Sequence, residues 1–366
     1  MSTLTSSSLP LAAAFDALLL DLDGVVYRGA VGVEYAAESI AAAVELGAKA
    51  LYVTNNAARP PQVVADQLTS LGIPTDPTQV MTSSIAAAAM LRGQVPDGSK
   101  VLCIGGPGLS LAIADQGFEV VASAADEPAA VVQGFGPTLG WADLTEAAYA
   151  IGNGALYLAT NLDATLPTER GMAVGNGSLV AAVINATGVR PASSGKPEAG
   201  IFHEAAGLVG STRPLVVGDR LDTDLAGARA AGMVGLHVLT GVSQAFDLIQ
   251  AAPHERPDFL ALDLRGLLEA HPAPVATEGT WTCNSAEAVV EGGALLLRRE
   301  GAAVNLSDID SITLDELRVL CVAAWEAVDG GRDLALYPHP VSVVASSPRQ
   351  LRRLVPHPSA LLGSLA

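Results

Sequence analysis

The sequence is poor in aromatic residues and in basic residues. Only 4% of its 366 residues are aromatic although half are hydrophobic, so small aliphatic side chains must form the core, as suits closely packed layers of helix on sheet. Lys and Arg number 20 against 38 Asp and Glu, which gives a net charge of −18. Because affinity for nucleic acid depends on clustered cations, this balance argues against a nucleic-acid partner. A small anionic substrate needs only local positive charge or a divalent metal.

The sequence also lacks the segments that direct a chain into or across a membrane. No uninterrupted apolar stretch approaches the roughly 20 residues of a spanning helix, and residues 1–10 contain no basic stretch typical of a secretory signal. Cys103, Cys283 and Cys321 are far apart and odd in number, which favours a reducing cytosol over a disulfide framework. We therefore expect a cytoplasmic protein without a membrane span. Its composition is compatible with either a monomer or a homo-oligomer.

The length of the chain predicts two or three domains. Apolar runs alternate with helical patterns, which predicts an α/β fold with a parallel sheet and crossover helices. A second α/β pattern at 84–191 separates the two parts of the first, 1–83 and 192–271. A proline-rich linker then leads to a small α+β module at 277–366, whose size suggests that it cannot bury a core alone.

Apolar spacing and helix-end signals place several elements. In the first unit they predict helices at 40–46 and 61–71, each ended by a glycine. In the C-terminal module, Thr313 to Glu316 has the pattern of a capping box that opens a helix ended by Gly330 and Gly331. A strand is expected at 337–345, and strand material at 288–298 is interrupted by two glycines.

The functional prediction starts from Asp21-Leu22-Asp23-Gly24, which follows an apolar run. If that run is a strand, its side chains alternate between faces, so Asp21 and Asp23 share an orientation near its carboxyl end. Ligands of open α/β sheets bind at that end. The same pattern is also typical of an ordinary strand that ends in a turn, so the stretch alone leaves both interpretations open.

Three later strand ends or loops carry polar groups as well: Thr54-Asn55-Asn56, Lys196, and Asp219 with Asp222 and Asp224. Alone, each is typical of a turn, a surface lysine or a helix start. Together they fit phosphoryl transfer, in which a carboxylate attacks phosphorus and water releases the phosphate. A Thr hydroxyl, backbone N–H groups and a Lys ammonium can hold phosphoryl oxygens, Mg²⁺ takes carboxylate ligands, and a second carboxyl can transfer protons.

The four motifs, in this order, resemble those of the haloacid dehalogenase superfamily, and specifically its type IIA phosphatases, over about residues 14–270. The resemblance implies a Rossmann-like parallel-sheet core with an inserted α/β cap of the class that defines type IIA. It implies that Asp21 is the nucleophile and Asp23 the general acid/base. The superfamily's dehalogenases lack an acid at the second position, because a halide leaves without a proton, so Asp23 favours phosphoryl transfer.

The same resemblance implies the ligands of the phosphoryl group and of the metal. The phosphoryl group would be bound by Thr54, Asn55, Asn56 and Lys196. Mg²⁺ would be held by the Asp21 carboxylate, the Asp23 backbone carbonyl and Asp219, with Asp224 orienting the site from its edge. Asp222 stays open between a site residue and an acid at a helix start.

The cap would close over the site and select the substrate. Residues 159–171 resemble the family's specificity segment, in which Asn161 and Asp163 would meet a polar leaving group; an Asx-rich turn is the alternative. The segment 161–182 is similar to that of mycobacterial glycerol 3-phosphate phosphatases, which makes glycerol 3-phosphate the first expected substrate. Phosphoglycolate, pyridoxal phosphate and nucleotides remain alternatives, as does a non-catalytic regulator that binds a phosphometabolite.

The C-terminal module resembles part of an acetyltransferase fold. Residues 298–303 loosely fit that fold's Arg-x-x-Gly-x-Ala loop for the pyrophosphate of coenzyme A. The sequence that follows predicts no helix whose N-terminus could bind the anion, so a structural or interface role is favoured over catalysis.

Overall fold

A computed structural model describes residues 4–168, 170–334 and 341–346. Its first part contains, in chain order, α1 (Leu11–Ala14), β1 (Ala17–Leu20), β2 (Tyr27–Arg28), β3 (Val31–Gly32), α2 (Ala36–Glu45), β4 (Lys49–Thr54), α3 (Pro61–Ser70) and β5 (Val80–Thr82). The predicted start of α2 is wrong by one turn, because its buried face begins at Ala36 and continues through Ser39 and Ile40. Helix α3 ends one residue earlier than predicted.

The inserted unit follows α4 (Ser83–Leu91). Its elements are β6 (Lys100–Ile104), α5 (Pro107–Asp115), β7 (Glu119–Val121), β8 (Ala130–Gln133), α6 (Trp141–Gly152), β9 (Leu156–Ala159), β10 (Thr165–Thr168), β11 (Gly171–Val174), α7 (Asn176–Thr187) and β12 (Ala192–Ser193). Five of these strands form a parallel sheet in the order β12-β9-β8-β6-β7, while β10 and β11 form a separate hairpin. Apolar clusters cover both faces of the parallel sheet.

The chain then returns to the first unit. It adds α8 (Ala199–Leu208), β13 (Pro214–Gly218), a π-helical turn (Leu221–Leu225), α9 (Ala226–Ala230), β14 (Val234–Val238), α10 (Ala245–Ile249) and β15 (Phe259–Ala261). The main sheet has the order β15-β14-β13-β1-β4-β5, and all of its pairings are parallel. The predicted α/β fold with an inserted α/β unit is confirmed.

The position of β1 in the middle of this sheet brings the motifs together. All four of its residues are buried, as expected for a central parallel strand that is covered on both faces. Leu20 pairs with Val217 on one side and with Tyr52 on the other. The carboxyl ends of β1, β4 and β13 therefore lie side by side, so residues that follow them share one edge.

The C-terminal part is a second, antiparallel structure. It contains β16 (Val275–Thr277), β17 (Thr280–Cys283), β18 (Ala286–Glu291), β19 (Ala294–Arg299), β20 (Ala302–Asn305), β21 (Ser311–Thr313), α11 (Leu314–Asp329) and β22 (Ser342–Val344). Strands β16 to β20 form a meander, and β21 pairs with β22. The predicted capping box is confirmed, since Thr313 Oγ1 accepts from Glu316 N at 3.2 Å and Glu316 Oε2 accepts from Thr313 N at 2.7 Å. Of the strand predicted at 337–345, residues 337–340 lie outside the described residues.

The segment 298–303 does not have the geometry of a phosphate-binding loop. Arg299 ends β19 and Ala302 begins β20, so Glu300 and Gly301 form the turn of a tight antiparallel hairpin. A short 3₁₀ turn follows at Leu306–Asp308, and the next α-helix begins only at Leu314. The likeness of this module to an acetyltransferase fold is not confirmed.

Within the described ranges, no helix is both long enough and apolar enough to cross a membrane. The three cysteines are free, and two of them, Cys283 and Cys321, are buried in the C-terminal part.

Candidate active site

A buried lysine lies at the centre of the shared edge. Lys196 is 5% exposed, and its Nζ donates hydrogen bonds to Asp21 Oδ1, to Asp224 Oδ1 at 2.6 Å and to Val53 O at 3.3 Å. Taking these charges out of water is costly unless each is paired, and breaking such a pair by removing one partner typically costs about 3–5 kcal/mol. The arrangement therefore fixes Lys196 between the carboxylate that follows β1 and a carboxylate in the π-helical turn after β13.

The charge state of Lys196 follows from these contacts. Burial alone would lower its pKa, but the carboxylates of Asp21 and Asp224 raise the pKa above its ordinary value. The ammonium group stays protonated, so a positive charge is held permanently beside Asp21.

Asp219, which follows β13, is fully buried, and one of its carboxylate oxygens accepts a backbone hydrogen bond. Its Oδ2 accepts from Val242 N at 2.6 Å, whereas its Oδ1 has no hydrogen-bond partner among the described residues. A Cβ on Gly24 or on Gly241 would lie 2.5 Å or 1.8 Å from that Oδ2. The two glycines therefore leave the space that the carboxylate occupies, and its free oxygen is available to a ligand.

The carboxylate of Asp219 is one of three that lie close together. One oxygen each from Asp21, Asp219 and Asp224 lies within 4.8 Å of the others. Desolvation raises the pKa of Asp21 well above its ordinary range. The positive charge of Lys196 opposes this rise, whereas the negative charges of Asp224 and Asp219 add to it. Burial and the charge of Asp224 raise the pKa of Asp219 to about 6. A hard divalent cation with oxygen ligands, such as Mg²⁺, fits this excess of buried negative charge and the unpaired oxygen.

Asp224 and Asp222 are only two residues apart but lie in different surroundings. Asp224 is buried, and its Oδ2 accepts from Arg220 N at 3.1 Å while its other oxygen contacts Lys196. Asp222 is 59% exposed and forms a two-pronged ion pair with the Arg220 side chain at 3.0 and 2.8 Å. The π-helical turn that contains both acids thus directs Asp224 into the site and Asp222 to the surface.

Asp23 is the exposed member of the Asp21-Leu22-Asp23 motif. Its Oδ1 accepts a hydrogen bond from Gly29 N at 3.5 Å. The surrounding cleft desolvates the carboxyl and raises its pKa, although Gly29, Arg59 and Lys196 act in the opposite direction. A carboxyl with a raised pKa is more readily protonated, which suits a general acid.

In the motif after β4, Thr54 and Asn56 accept hydrogen bonds from nearby backbone groups, whereas Asn55 contacts a distant part of the chain. Thr54 is buried, and its Oγ1 accepts from Asn56 N at 3.1 Å, while Asn56 Oδ1 accepts from Ala58 N at 3.0 Å. Asn55 reaches across the chain: its Oδ1 accepts from Lys196 N at 2.8 Å and its Nδ2 donates to Lys196 O at 3.0 Å. The side chains of Asn55 and Asn56 therefore bond the protein itself in this structure.

The two polar residues predicted in the cap also meet at Asn55. Asp163 Oδ2 accepts from Asn55 Nδ2 at 3.1 Å, and burial raises the pKa of the Asp163 carboxyl. Asn161 is buried; its Nδ2 donates to Asn55 O at 2.8 Å and its Oδ1 accepts from Asp163 N at 3.2 Å. We call residues 159–178 the cap segment. Its polar start is attached to the core next to Lys196.

Two parts of the site were not predicted from the sequence: the loop of residues 240–243 and Arg59. The loop from Thr240 to Ser243 supplies the N–H groups that hold Asp219, and it is secured by Thr240 Oγ1, which donates to Gly24 O at 2.6 Å. Arg59 lies near Asp23 and Tyr27. Burial raises the pKa of both groups, and the positive charge of Arg59 opposes that rise. The signal for the loop was Gly241, three residues after the end of β14. For Arg59 there was no signal beyond its closeness in sequence to the Thr54 motif.

Comparisons with known proteins place this geometry in a family. Residues 18–119 match the profile of the haloacid dehalogenase-like hydrolases, and residues 193–267 match a further HAD-hydrolase-like profile. The D-glycerol 3-phosphate phosphatase of Mycobacterium tuberculosis is 41% identical over 335 residues, which is 91% of either chain. A 5′-nucleotidase of Bacillus subtilis is 39% identical over 228 residues, 62% of this chain and 88% of its own.

Solved structures support the same family assignment. The crystal structure of glycerol phosphate phosphatase from M. tuberculosis in complex with magnesium has a TM-score of 0.77 and 38% identity, and the match covers 95% of this chain and 97% of that one. That enzyme was also crystallised with calcium, and this structure likewise has a TM-score of 0.77. Since the likeness extends over nearly the whole length of both chains, this chain belongs to the haloacid dehalogenase-like hydrolases.

Proposed function

We propose that this hydrolase is a Mg²⁺-dependent phosphatase that cleaves a small phosphate monoester through an aspartyl-phosphate intermediate. The observation that carries the proposal is the buried Lys196 bridging Asp21 and Asp224 beside the free oxygen of Asp219. A positive group and a set of metal-binding acids around one carboxylate are what the attack on a phosphate dianion requires.

In the first step the Asp21 carboxylate attacks phosphorus, and the bond from phosphorus to the ester oxygen breaks. Lys196 stabilises the charge on the phosphoryl oxygens, together with the Thr54 hydroxyl and the backbone amides that follow it. The carboxylates of Asp21 and Asp219, with the Asp23 backbone carbonyl, would hold Mg²⁺. When bound, Mg²⁺ neutralises the charge that would otherwise repel the substrate from three acids.

Asp23 handles the protons in both steps. Its carboxyl gives a proton to the leaving alkoxide, which is a poor leaving group unless it is protonated. In the second step the same group, now a carboxylate, takes a proton from the water that attacks the aspartyl-phosphate. The exposure of Asp23 supports this role, because a group that exchanges protons with an alcohol and with water must be accessible to both.

For the substrate we propose glycerol 3-phosphate. The support is the match of almost the whole chain to an enzyme named for that substrate, including the cap segment. Asn161 and Asp163 then shape the wall that faces the glycerol hydroxyls. Phosphoglycolate, pyridoxal phosphate and nucleotides are the competing esters, and the B. subtilis relative is named for nucleotides.

We further propose a division into a core of residues 1–83 and 192–271, a type IIA cap of residues 84–191 and a C-terminal module of residues 277–366. Support comes from the separate main, inserted and C-terminal sheets, although β12 at 192–193 pairs within the inserted sheet. We also propose a cytoplasmic enzyme without a nucleic-acid partner, on the basis of its free cysteines and net charge of −18. Light scattering on the purified protein distinguishes a monomer from a homo-oligomer.

A phosphate-release screen tests the proposal. The purified enzyme is given glycerol 3-phosphate and the competing esters with Mg²⁺, with EDTA as the control. We expect the highest kcat/KM with glycerol 3-phosphate and no release in EDTA. Hydrolysis of another ester with a clearly higher kcat/KM would reject the substrate but keep the phosphatase. Binding of an ester without release of phosphate would instead identify a non-catalytic regulator.

A further inference from the structure

Helix α11 of the C-terminal module is buried almost all around. Between Leu314 and Ala327 every residue except Glu326 is buried, including Asp315, Glu316 and Arg318. A helix that is covered on every side lies inside a larger core. One side of α11 packs on strands β17 to β19, so its other side must be covered by something outside the module.

That other side meets the segments that carry the metal-binding acids. A single apolar cluster joins α11 to Leu221 and Leu225 of the π-helical turn and to Leu248 and Ile249 of α10. The turn contains Asp224, and α10 directly follows the loop that holds Asp219. The module therefore packs against the back of the acid site.

Polar contacts fix this packing at defined points. Trp325 Nε1 donates to Leu248 O at 2.9 Å, and Arg318 Nη2 donates to Leu260 O at 2.9 Å. The guanidinium of Arg256 lies 5.2 Å from the centre of the Trp325 ring and pairs with both oxygens of Asp329 at 2.7 and 2.9 Å. Each contact joins α11 to the core, because 248, 256 and 260 all precede the linker.

A short chain of hydrogen bonds leads from α10 to Asp219. Ser243, two residues before α10, donates its N–H to Asp219 O at 3.0 Å, and its Oγ accepts from Leu221 N at 3.2 Å. Val242 N donates to Asp219 Oδ2 at 2.6 Å. A shift of α10 would therefore move both the donor to Asp219 and the turn that carries Asp224.

We propose that the C-terminal module is a support for the metal site, in which Trp325 acts as a positioning residue through α10 and the loop of residues 240–243. The inference rests on the proposed Mg²⁺ site. It gives the module a task in the reaction of the core without any chemistry of its own.

The test compares two substitutions of the same kind in the intact protein. Trp325→Phe removes the N–H that contacts Leu248 and keeps an aromatic ring. Trp281→Phe removes an indole N–H as well, which donates to Glu326 Oε2 at 2.7 Å in a more exposed contact within the module and not to the core. Mg²⁺ binding is measured by calorimetry without substrate, and amide hydrogen exchange is followed in residues 219–225 and 240–249.

We expect Trp325→Phe to raise the dissociation constant of Mg²⁺ about 3- to 10-fold, as the loss of one buried hydrogen bond predicts, and to speed exchange in both segments. Trp281→Phe should leave the Mg²⁺ dissociation constant and the exchange rates within twofold of the wild-type values. KM for the ester at saturating Mg²⁺ should stay the same in both variants. Normal Mg²⁺ binding by a folded Trp325→Phe, or equal weakening in Trp281→Phe, would overturn the inference.

Arg256→Lys is a milder second variant if Trp325→Phe does not fold. It keeps the charge but loses the two-pronged contact with Asp329, and it should weaken Mg²⁺ binding in the same direction; unchanged binding would overturn the inference. If the wild-type protein itself binds no Mg²⁺, the proposed function fails as well. Mg²⁺-dependent phosphate release by the wild type, together with normal binding in the variants, rejects only the role of the module.

Discussion

The edge of the main sheet and the cap segment meet at Asn55 but are built in opposite ways. At the edge, Lys196, Asp219 and Asp224 are almost fully buried, and Lys196 is ion-paired with Asp224. In the cap segment, Met172 and Val174 of the hairpin are 65% and 61% exposed. Moving a buried charge is costly, whereas an exposed side chain can change freely. We therefore expect substitutions at the edge to change the reaction itself, and substitutions on the exposed hairpin to change at most the choice of substrate.

The largest expected effect follows from Asp21→Asn, which changes the edge at its centre. The amide keeps the shape of the side chain but cannot attack phosphorus, so we expect kcat to fall by about 10⁴-fold or more. Phosphate release under saturating substrate and Mg²⁺ measures the loss.

Asp222→Asn is the matched control for that variant. The acid is exposed and paired only with Arg220, so kcat should stay within about threefold of wild type. Equal losses in the two variants would mean that fold or net charge, rather than the nucleophile, explains the result.

Asp23→Asn should have the next largest effect. Loss of the proton donor should lower kcat/KM for an alkyl phosphate by about 10²–10⁴-fold. With p-nitrophenyl phosphate the loss should be much smaller for the first step, because nitrophenolate leaves without a proton. Burst kinetics separate the two steps, and an equal loss of burst rate with both esters would contradict the role of Asp23 as acid.

Asp163→Ala removes one of the two hydrogen bonds between the cap segment and Asn55, and leaves that of Asn161. One hydrogen bond to a charged group is worth about 1.5–3 kcal/mol, and solvent at this partly exposed position reduces that value. We therefore expect kcat/KM to fall about 3- to 30-fold, mainly through KM. Steady-state kinetics with glycerol 3-phosphate and p-nitrophenyl phosphate provide the measurement, and a fall in kcat as large as that of Asp23→Asn would show that the cap takes part in the chemistry.

Met172→Ala should have the smallest effect. The side chain is exposed on the hairpin, so the free energy of unfolding should change by no more than about 0.5 kcal/mol. Turnover of p-nitrophenyl phosphate should stay within twofold. Denaturant unfolding and the same kinetic assay check both values, and a large loss of turnover would remove the distinction between the two regions.

The sequence predicted the edge well because local signals determine it. Each motif follows an apolar run or opens a loop, and parallel strands bring such ends together without further information. The central place of β1 explains why Asp21, Thr54 and Asp219 become neighbours although they lie far apart in the chain.

What the sequence did not predict depends on contacts between distant segments. The amide of Asn55 bonds Asp163, which is 108 residues away, and Trp325 bonds the carbonyl of Leu248 across 77 residues. Neither pair has a local pattern. The capping box and the two glycines predicted where α11 begins and ends, but they did not predict that it is covered on both sides, because the core provides its second partner.

The two glycines behind Asp219 have a consequence for comparing related sequences. A methyl group at position 241 would lie 1.8 Å from the carboxylate oxygen, and one at position 24 would lie 2.5 Å away at a backbone φ of +89°. A homologue could keep all four acids and the lysine and still lose its metal through one alanine at either place. Whether a relative is an active enzyme or an inactive descendant is therefore decided at Gly24 and Gly241 as much as at the charged residues.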